Sequence, residues 1–217
     1  MLAQVAHDQR LSLFRISLAA ELVSEVDADR EVLRIGIDAI REGVASLSRL
    51  VQDLDDYTSL QAGHLRLVVA PVNPCAIVKS ALAAFALLAG SRRIALSARV
   101  EDGLPDIVAD RDRLIQVLSN LLANTLYITP PGGSVVVSVA TDGGQTRFAV
   151  SDTGPGIPPD DVAHLFERSW RGAHGSYAGQ GLGLAIAREL VECHGGEIWA
   201  ENQQPHGACI SFTVRGG

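Results

Sequence analysis

From Leu2 to about Leu65 the chain contains no proline, is rich in helix formers and carries apolar residues at helical spacing. So long a stretch with one periodicity folds as long helices, and the polar segment Val26-Asp27-Ala28-Asp29-Arg30 divides it into two. Asp27 or Asp29 can cap the second helix by accepting a hydrogen bond from an orphan backbone N–H. On the first helix Leu2, Val5, Leu13, Ile16, Ala20 and Val23 fall on one side, while Leu11, Phe14, Leu18 and Leu22 fall on the other. One helical partner cannot cover both sides. Val32, Ile40, Val44, Leu47, Val51 and Leu54 continue the pattern on the second helix. The expectation is an antiparallel helical hairpin, two copies of which associate as a homodimer into a four-helix bundle.

Gly63 ends the helical stretch, and short β-branched runs then alternate with helices. The chain therefore reads as an α+β protein, with a helical domain over residues 1–65 and an α/β domain over 66–217. Apolar alternation predicts strands at Leu67–Ala70, Ile94–Val100, Ser134–Ala140, Arg147–Ser151, Glu197–Ala200 and Cys209–Val214. Helices are predicted at Pro74–Ala89, opened by the Asn73 cap, at Arg111–Tyr127, and at Leu182–His194, stopped by Gly195-Gly196. This mixture points to one sheet covered by helices on one face.

Bulk properties exclude some function classes. A net charge of −7 with scattered basic residues argues against a nucleic-acid partner, because phosphate backbones are held by clustered Lys and Arg. Apolar runs are read as too short for a membrane segment. Cys75, Cys193 and Cys209 form neither a metal-ligand spacing nor an even disulfide set, and the N-terminus has no signal-like pattern, so a reducing cytoplasm is expected.

Three segments of the second domain carry chemistry. In Asn120-Leu-Leu-Ala-Asn124 two carboxamides share one helical face, giving neutral oxygens suited to Mg²⁺; two locally bonded polar residues would look the same. Asp152-Thr-Gly154-Pro-Gly156 follows a strand, where a carboxylate can accept from an exocyclic amine and the glycines admit close backbone approach; a plain tight turn is the simpler alternative. Gly179-Gln-Gly181-Leu-Gly183-Leu184 opens a helix whose exposed N–H groups attract phosphate. It matches neither the dinucleotide fingerprint nor the Walker loop.

In this order the segments resemble the N, G1 and G2 boxes of the Bergerat (GHKL) ATP-binding fold. Leu165-Phe166-Glu167-Arg168 resembles the F box of sensor histidine kinases, and Val5-Ala6-His7-Asp8-Gln9-Arg10 resembles their H box. The resemblance implies ATP and Mg²⁺ as cofactors, with Asp152 on adenine, Asn124 on the metal and Asn120 in support. It places Gly154, Gly156, Gly179, Gly181, Gly183 and Leu184 around the nucleotide, with Phe166, Arg168 and Arg171 in or beside a mobile lid of about residues 159–178. His7 would be the phosphoacceptor and a response regulator receiver domain the partner. The chemistry is also readable directly: a neutral imidazole attacks phosphorus through one nitrogen while Asp8 takes the proton from the other.

Three departures qualify the resemblance. Leu11 stands where the family usually has a threonine that orients hydrolytic water, so weak phosphatase activity is expected. Tyr127 stands where the family usually has a lysine at the nucleotide, so either another cation compensates or ATP use is weakened. Only six residues precede His7, so an upstream sensor module is expected to lie outside this chain. The competing readings are a phosphotransfer scaffold with a degenerate kinase fold and an ATPase of the chaperone or topoisomerase type.

Overall fold

A computed structural model describes residues 13–14, 16–23, 29–61, 66–167 and 182–215. The chain divides into two compact units, Met1–His64 and Leu65–Gly217.

In the first unit, α1 covers residues 16–23 and α2 runs Arg30–Gln61. Asp29 immediately precedes α2, and its carbonyl accepts from Leu33 N–H at 2.9 Å. The proposed cap Asp27, the stop at Gly63 and the helical residues before Leu13 lie outside the described residues. The two helices approach at Gly36, where an added Cβ would stand 2.5 Å from Val23 Cγ2 and 3.2 Å from the Ala19 carbonyl oxygen. Ala19 is buried there and Ile16 and Val23 are half-buried, while Ala20 is exposed. Phe14, Leu18, Leu22, Val32, Ile35, Val44 and Val51 remain exposed.

The second unit contains a five-stranded mixed sheet and a separate two-stranded one. Its elements are β1 (Ala70–Val72), α3 (Pro74–Ser91), β2 (Ala95–Val100), β3 (Ile107–Ala109), α4 (Arg111–Ile128), β4 (Ser134–Asp142), β5 (Gln145–Asp152), α5 (Pro159–Val162), α6 (Gly183–Cys193), β6 (Ile198–Asn202) and β7 (Ala208–Arg215). The large sheet has the order β2-β4-β5-β7-β6, parallel only between β2 and β4. In the small sheet β1 pairs antiparallel with β3.

The single-sheet expectation is thus corrected. The first strand lies at Ala70–Val72 rather than Leu67–Ala70, because Pro71 is tolerated in a three-residue strand paired on one side only. Its partner β3 is too short to show alternation.

Caps explain the helix starts. Asn73 Oδ1 accepts from the N–H groups of Cys75 and Ala76 to open α3, and Asp110 Oδ1 accepts from those of Asp112 and Arg113 to open α4. Helix α3 also corrects the membrane expectation, since by length and composition it could cross a bilayer; Lys79 is its one charged residue. Here Ile77, Val78 and Ala81 are buried, and the helix packs against α4 and β2.

Strand alternation sets the floor of the core. Val135, Val137 and Val139 on β4 pair across to Asp152, Val150 and Phe148 on β5, and Phe148 stacks on Phe212 of β7 at 4.9 Å. All of these are buried, as are Leu118, Leu121 and Leu122 of α4 and Ile186 and Leu190 of α6. Period two therefore puts Asp152, the last residue of β5, in line with apolar residues rather than in solvent.

Candidate nucleotide site

Helix α4 is the spine of the site. Near its middle, Asn120 Nδ2 donates to the Gly183 carbonyl at 2.9 Å, fastening α4 to the start of α6. At its C-terminal end, the Ile128 carbonyl oxygen and Thr129 Cα lie 3.6 and 3.7 Å from the point where a Cβ on Gly154 would stand. The helix therefore bridges the glycine-rich helix start and the turn after β5. Asn124 sits one turn beyond Asn120. Its side chain belongs to a residue only 8% exposed and makes no hydrogen bond among the described residues. A buried carboxamide without a partner costs about 1–3 kcal/mol, and Asn124 stands on α4 between the residue fastened to Gly183 and the helix end that adjoins Gly154.

The turn after β5 is built around the Asp152 carboxylate. Oδ1 accepts from Gly154 N–H at 2.7 Å and from Ala208 N–H at 3.4 Å, while no described residue bonds to Oδ2. Asp152 is 4% exposed, and burial pushes its carboxyl above the ordinary range, opposed by the two backbone donors. Gly154 admits this approach because a Cβ would meet Asp152 Oδ1 at 2.8 Å. Gly207, with φ of +98°, lies so close to the Asp152 carbonyl that a Cβ would fall 2.0 Å from its oxygen. Asn202, at the end of β6, clamps the far side of the turn: Oδ1 accepts from Ile157 N–H at 2.7 Å and Nδ2 donates to the Ile157 carbonyl at 2.8 Å.

The family described as Histidine kinase-, DNA gyrase B-, and HSP90-like ATPase (HATPase_c) matches residues 109–216, which contain all of this geometry. The solved structure of a mycobacterial sensor histidine kinase, MprB, superposes with a TM-score of 0.59 at 31% identity, covering 69% of this chain and 98% of that one. The chain belongs to the histidine kinase family. Signal transduction histidine-protein kinase BaeS of Escherichia coli K12 is 33% identical over 216 residues, 98% of this chain and 45% of BaeS. The full-length structure of ShkA in complex with AMPPNP gives a TM-score of 0.72 at 29% identity, over 99% of this chain and 46% of that one. The chain spans about half the length, or less, of these two relatives.

The described residues that resemble the N and G1 boxes, with Gly183 of the segment that resembles the G2 box, lie on elements joined by α4. Leu184 is half-buried in the first turn of α6, and Gly156, with φ of +83°, lies against Asn202. Phe166 is half-buried in turns beyond α5, while Tyr127 is exposed on α4. His7, Asp8, Arg168, Arg171, Gly179 and Gly181 lie outside the described residues. Asn202, Gly207 and His194 were not singled out as site or support residues. His194 ends α6, and its ring links two elements: Nδ1 is 2.7 Å from the Leu190 carbonyl and Nε2 accepts from Asp110 N–H at 3.1 Å. A carbonyl only accepts, so Nδ1 donates to Leu190 while Nε2 accepts from Asp110. The magnesium nucleotide implied by the family fits these residues: among the described residues, nothing engages the buried Asn124 amide oxygen or Asp152 Oδ2.

Proposed function

We propose that this chain is the kinase core of a two-component system, using Mg-ATP to phosphorylate its own His7 and passing the phosphoryl group to an aspartate of a response regulator. The observation that carries this reading is the buried Asn124 carboxamide, without a hydrogen-bond partner among the described residues, on a helix fastened at Gly183 and adjoining Gly154. Asp152 Oδ2 would accept from the adenine amine, Asn124 would hold Mg²⁺ with Asn120 fixing the helix beside it, and Gly154, Gly156, Gly183 and Leu184 would shape the walls. Arg168, Arg171, Gly179, Gly181 and Phe166 would close the site from the lid side. Bound Mg²⁺ would neutralise part of the triphosphate charge.

One imidazole nitrogen of His7 forms the bond to the γ-phosphorus as the bond to the ADP oxygen breaks, and Asp8 takes the proton from the other nitrogen. A receiver-domain carboxylate then forms the new P–O bond as the P–N bond breaks. Kinase activity in the relatives' names supports this assignment. The helical hairpin would present His7 within a homodimeric four-helix bundle, an arrangement supported by the apolar residues exposed on α1 and α2. The free thiols Cys75, Cys193 and Cys209 support a reducing cytoplasmic compartment.

Incubation with γ-labelled ATP and Mg²⁺ tests the proposal. Acid-labile, base-stable label is expected, abolished by His7→Gln and strongly reduced by Asp152→Asn. Label taken only from a phosphorylated partner would make the chain a phosphotransfer scaffold instead.

A further inference from the structure

The site face of α4 is neutral: Asn120, Asn124 and Tyr127 follow one another along it, and none carries charge. A magnesium triphosphate keeps net negative charge and is held best where a cation is already positioned. At the C-terminal end of α4 a cation is positioned from another element. Arg92, directly after α3, lays its guanidinium carbon 5.3 Å from the centre of the Tyr127 ring and donates from Nη1 to the Leu126 carbonyl at 2.6 Å. The ring face and the negative end of the helix both favour a cation there. A guanidinium carries five N–H donors, and the Arg92 guanidinium makes no other hydrogen bond to a described residue.

The surroundings are open. A cavity of about 260 Å³ is lined by Arg92, Arg93, Tyr127, Ile128, Thr129 and Pro130 among others. Its Ile128–Thr129 wall is the strip that adjoins Gly154 on the Asp152 turn. The cavity therefore shares its Ile128–Thr129 backbone strip with the turn that carries Gly154, and Arg92 is half-buried beside it with most of its guanidinium donors unengaged by described residues.

We propose that Arg92 is the nucleotide site's compensating cation, seated on Tyr127 at the end of α4 and binding the polyphosphate of the nucleotide. The inference rests on the nucleotide reading given above and names the group that makes up for a neutral Tyr127. Stacking engages the guanidinium face and leaves its in-plane edges for phosphate oxygens, a geometry that favours arginine over lysine.

Calorimetric titration of the full chain with Mg-ATP and with adenosine tests it. Loss of a charge-assisted contact is expected to weaken Mg-ATP about tenfold in Arg92→Gln while leaving adenosine binding unchanged. Arg92→Lys keeps the charge and should stay within about threefold, and adding Tyr127→Lys to Arg92→Gln should restore Mg-ATP affinity. Arg92→Met, which keeps the stem packed on the ring, gives the same comparison if the glutamine variant does not fold. Wild-type affinity for Mg-ATP in the charge-removing variants overturns the proposal. So does equal loss of adenosine and Mg-ATP, which would mark Arg92 as a fold or base-pocket residue. A wild-type chain that binds neither ligand overturns the nucleotide reading itself, and this inference with it.

Discussion

Asp152 sets binding against folding at a single side chain. Strand alternation puts its carboxylate in the covered core of the sheet, where burial raises its pKa, with two backbone N–H groups giving partial compensation. An acid whose folded-state pKa lies above its unfolded value binds protons more tightly when folded. The fold's advantage is therefore full below the ordinary carboxylate range and is lost as pH rises through the raised value. Asp152→Asn keeps an oxygen for Gly154 and Ala208 and removes the charge. Its apo form is expected to melt at or above the wild-type temperature near about pH 8, with the difference vanishing near about pH 3. Nucleotide affinity should fall at least about tenfold, since the group that would accept from the base amine now presents a donor. Melting curves at the two pH values, with and without Mg-ATP, separate the effects. His194 makes a purely structural prediction. His194→Ala leaves the Asp110 N–H without its acceptor and should cost about 1–3 kcal/mol by denaturant unfolding, with no direct effect on the nucleotide.

The turn after β5 shows how an element is completed from a distant part of the chain. Asn202 holds both backbone groups of Ile157, and Gly207 and Ala208 press on Asp152 from the other side. Asn202→Ala should destabilise the domain by about 1–3 kcal/mol and weaken Mg-ATP binding, because it frees two backbone groups and loosens the turn that carries Gly154 and Gly156. Hydrogen exchange at the Ile157 amide should rise out of proportion to the global loss; unchanged exchange there would show that the turn holds itself. None of this support was visible in the one-dimensional pattern. Asp152, Gly154 and Gly156 announce themselves as a local string, whereas Asn202 and Gly207 reach the turn only through the β6–β7 hairpin. Local signals explain what was legible: Asn73-Pro74 opens α3, and Gly195-Gly196 follows the end of α6. They also explain the misses. Pro71 moved the first strand, and β3 is three residues long.

At the scale of the whole molecule the controlling quantity is the apolar surface left on the hairpin. Gly36 lets α1 and α2 approach until Val23 and Ala19 fill the space a side chain would take, so the two helices pack against each other at this point within one chain. Phe14 is nonetheless 65% exposed, and Leu18, Ile35, Val44 and Val51 are exposed with it, so a second chain has a surface to cover. Burying such side chains contributes about 1.5–3 kcal/mol each, enough for a handful to hold a dimer at micromolar concentration. Sedimentation of the full chain should therefore give a dimer. Leu18→Glu should convert it to monomer without unfolding the nucleotide domain, whose core is separate. The same variant decides how phosphorylation depends on assembly. If His7 takes phosphate from the partner's nucleotide, the monomeric variant should bind Mg-ATP normally yet lose labelling, and mixing it with chains that dimerise should not restore it. If transfer runs within one chain, labelling should persist at a rate independent of protein concentration. A wild-type chain that sediments as monomer with the hairpin folded would leave the apolar face without its proposed cover and remove the four-helix bundle from the mechanism.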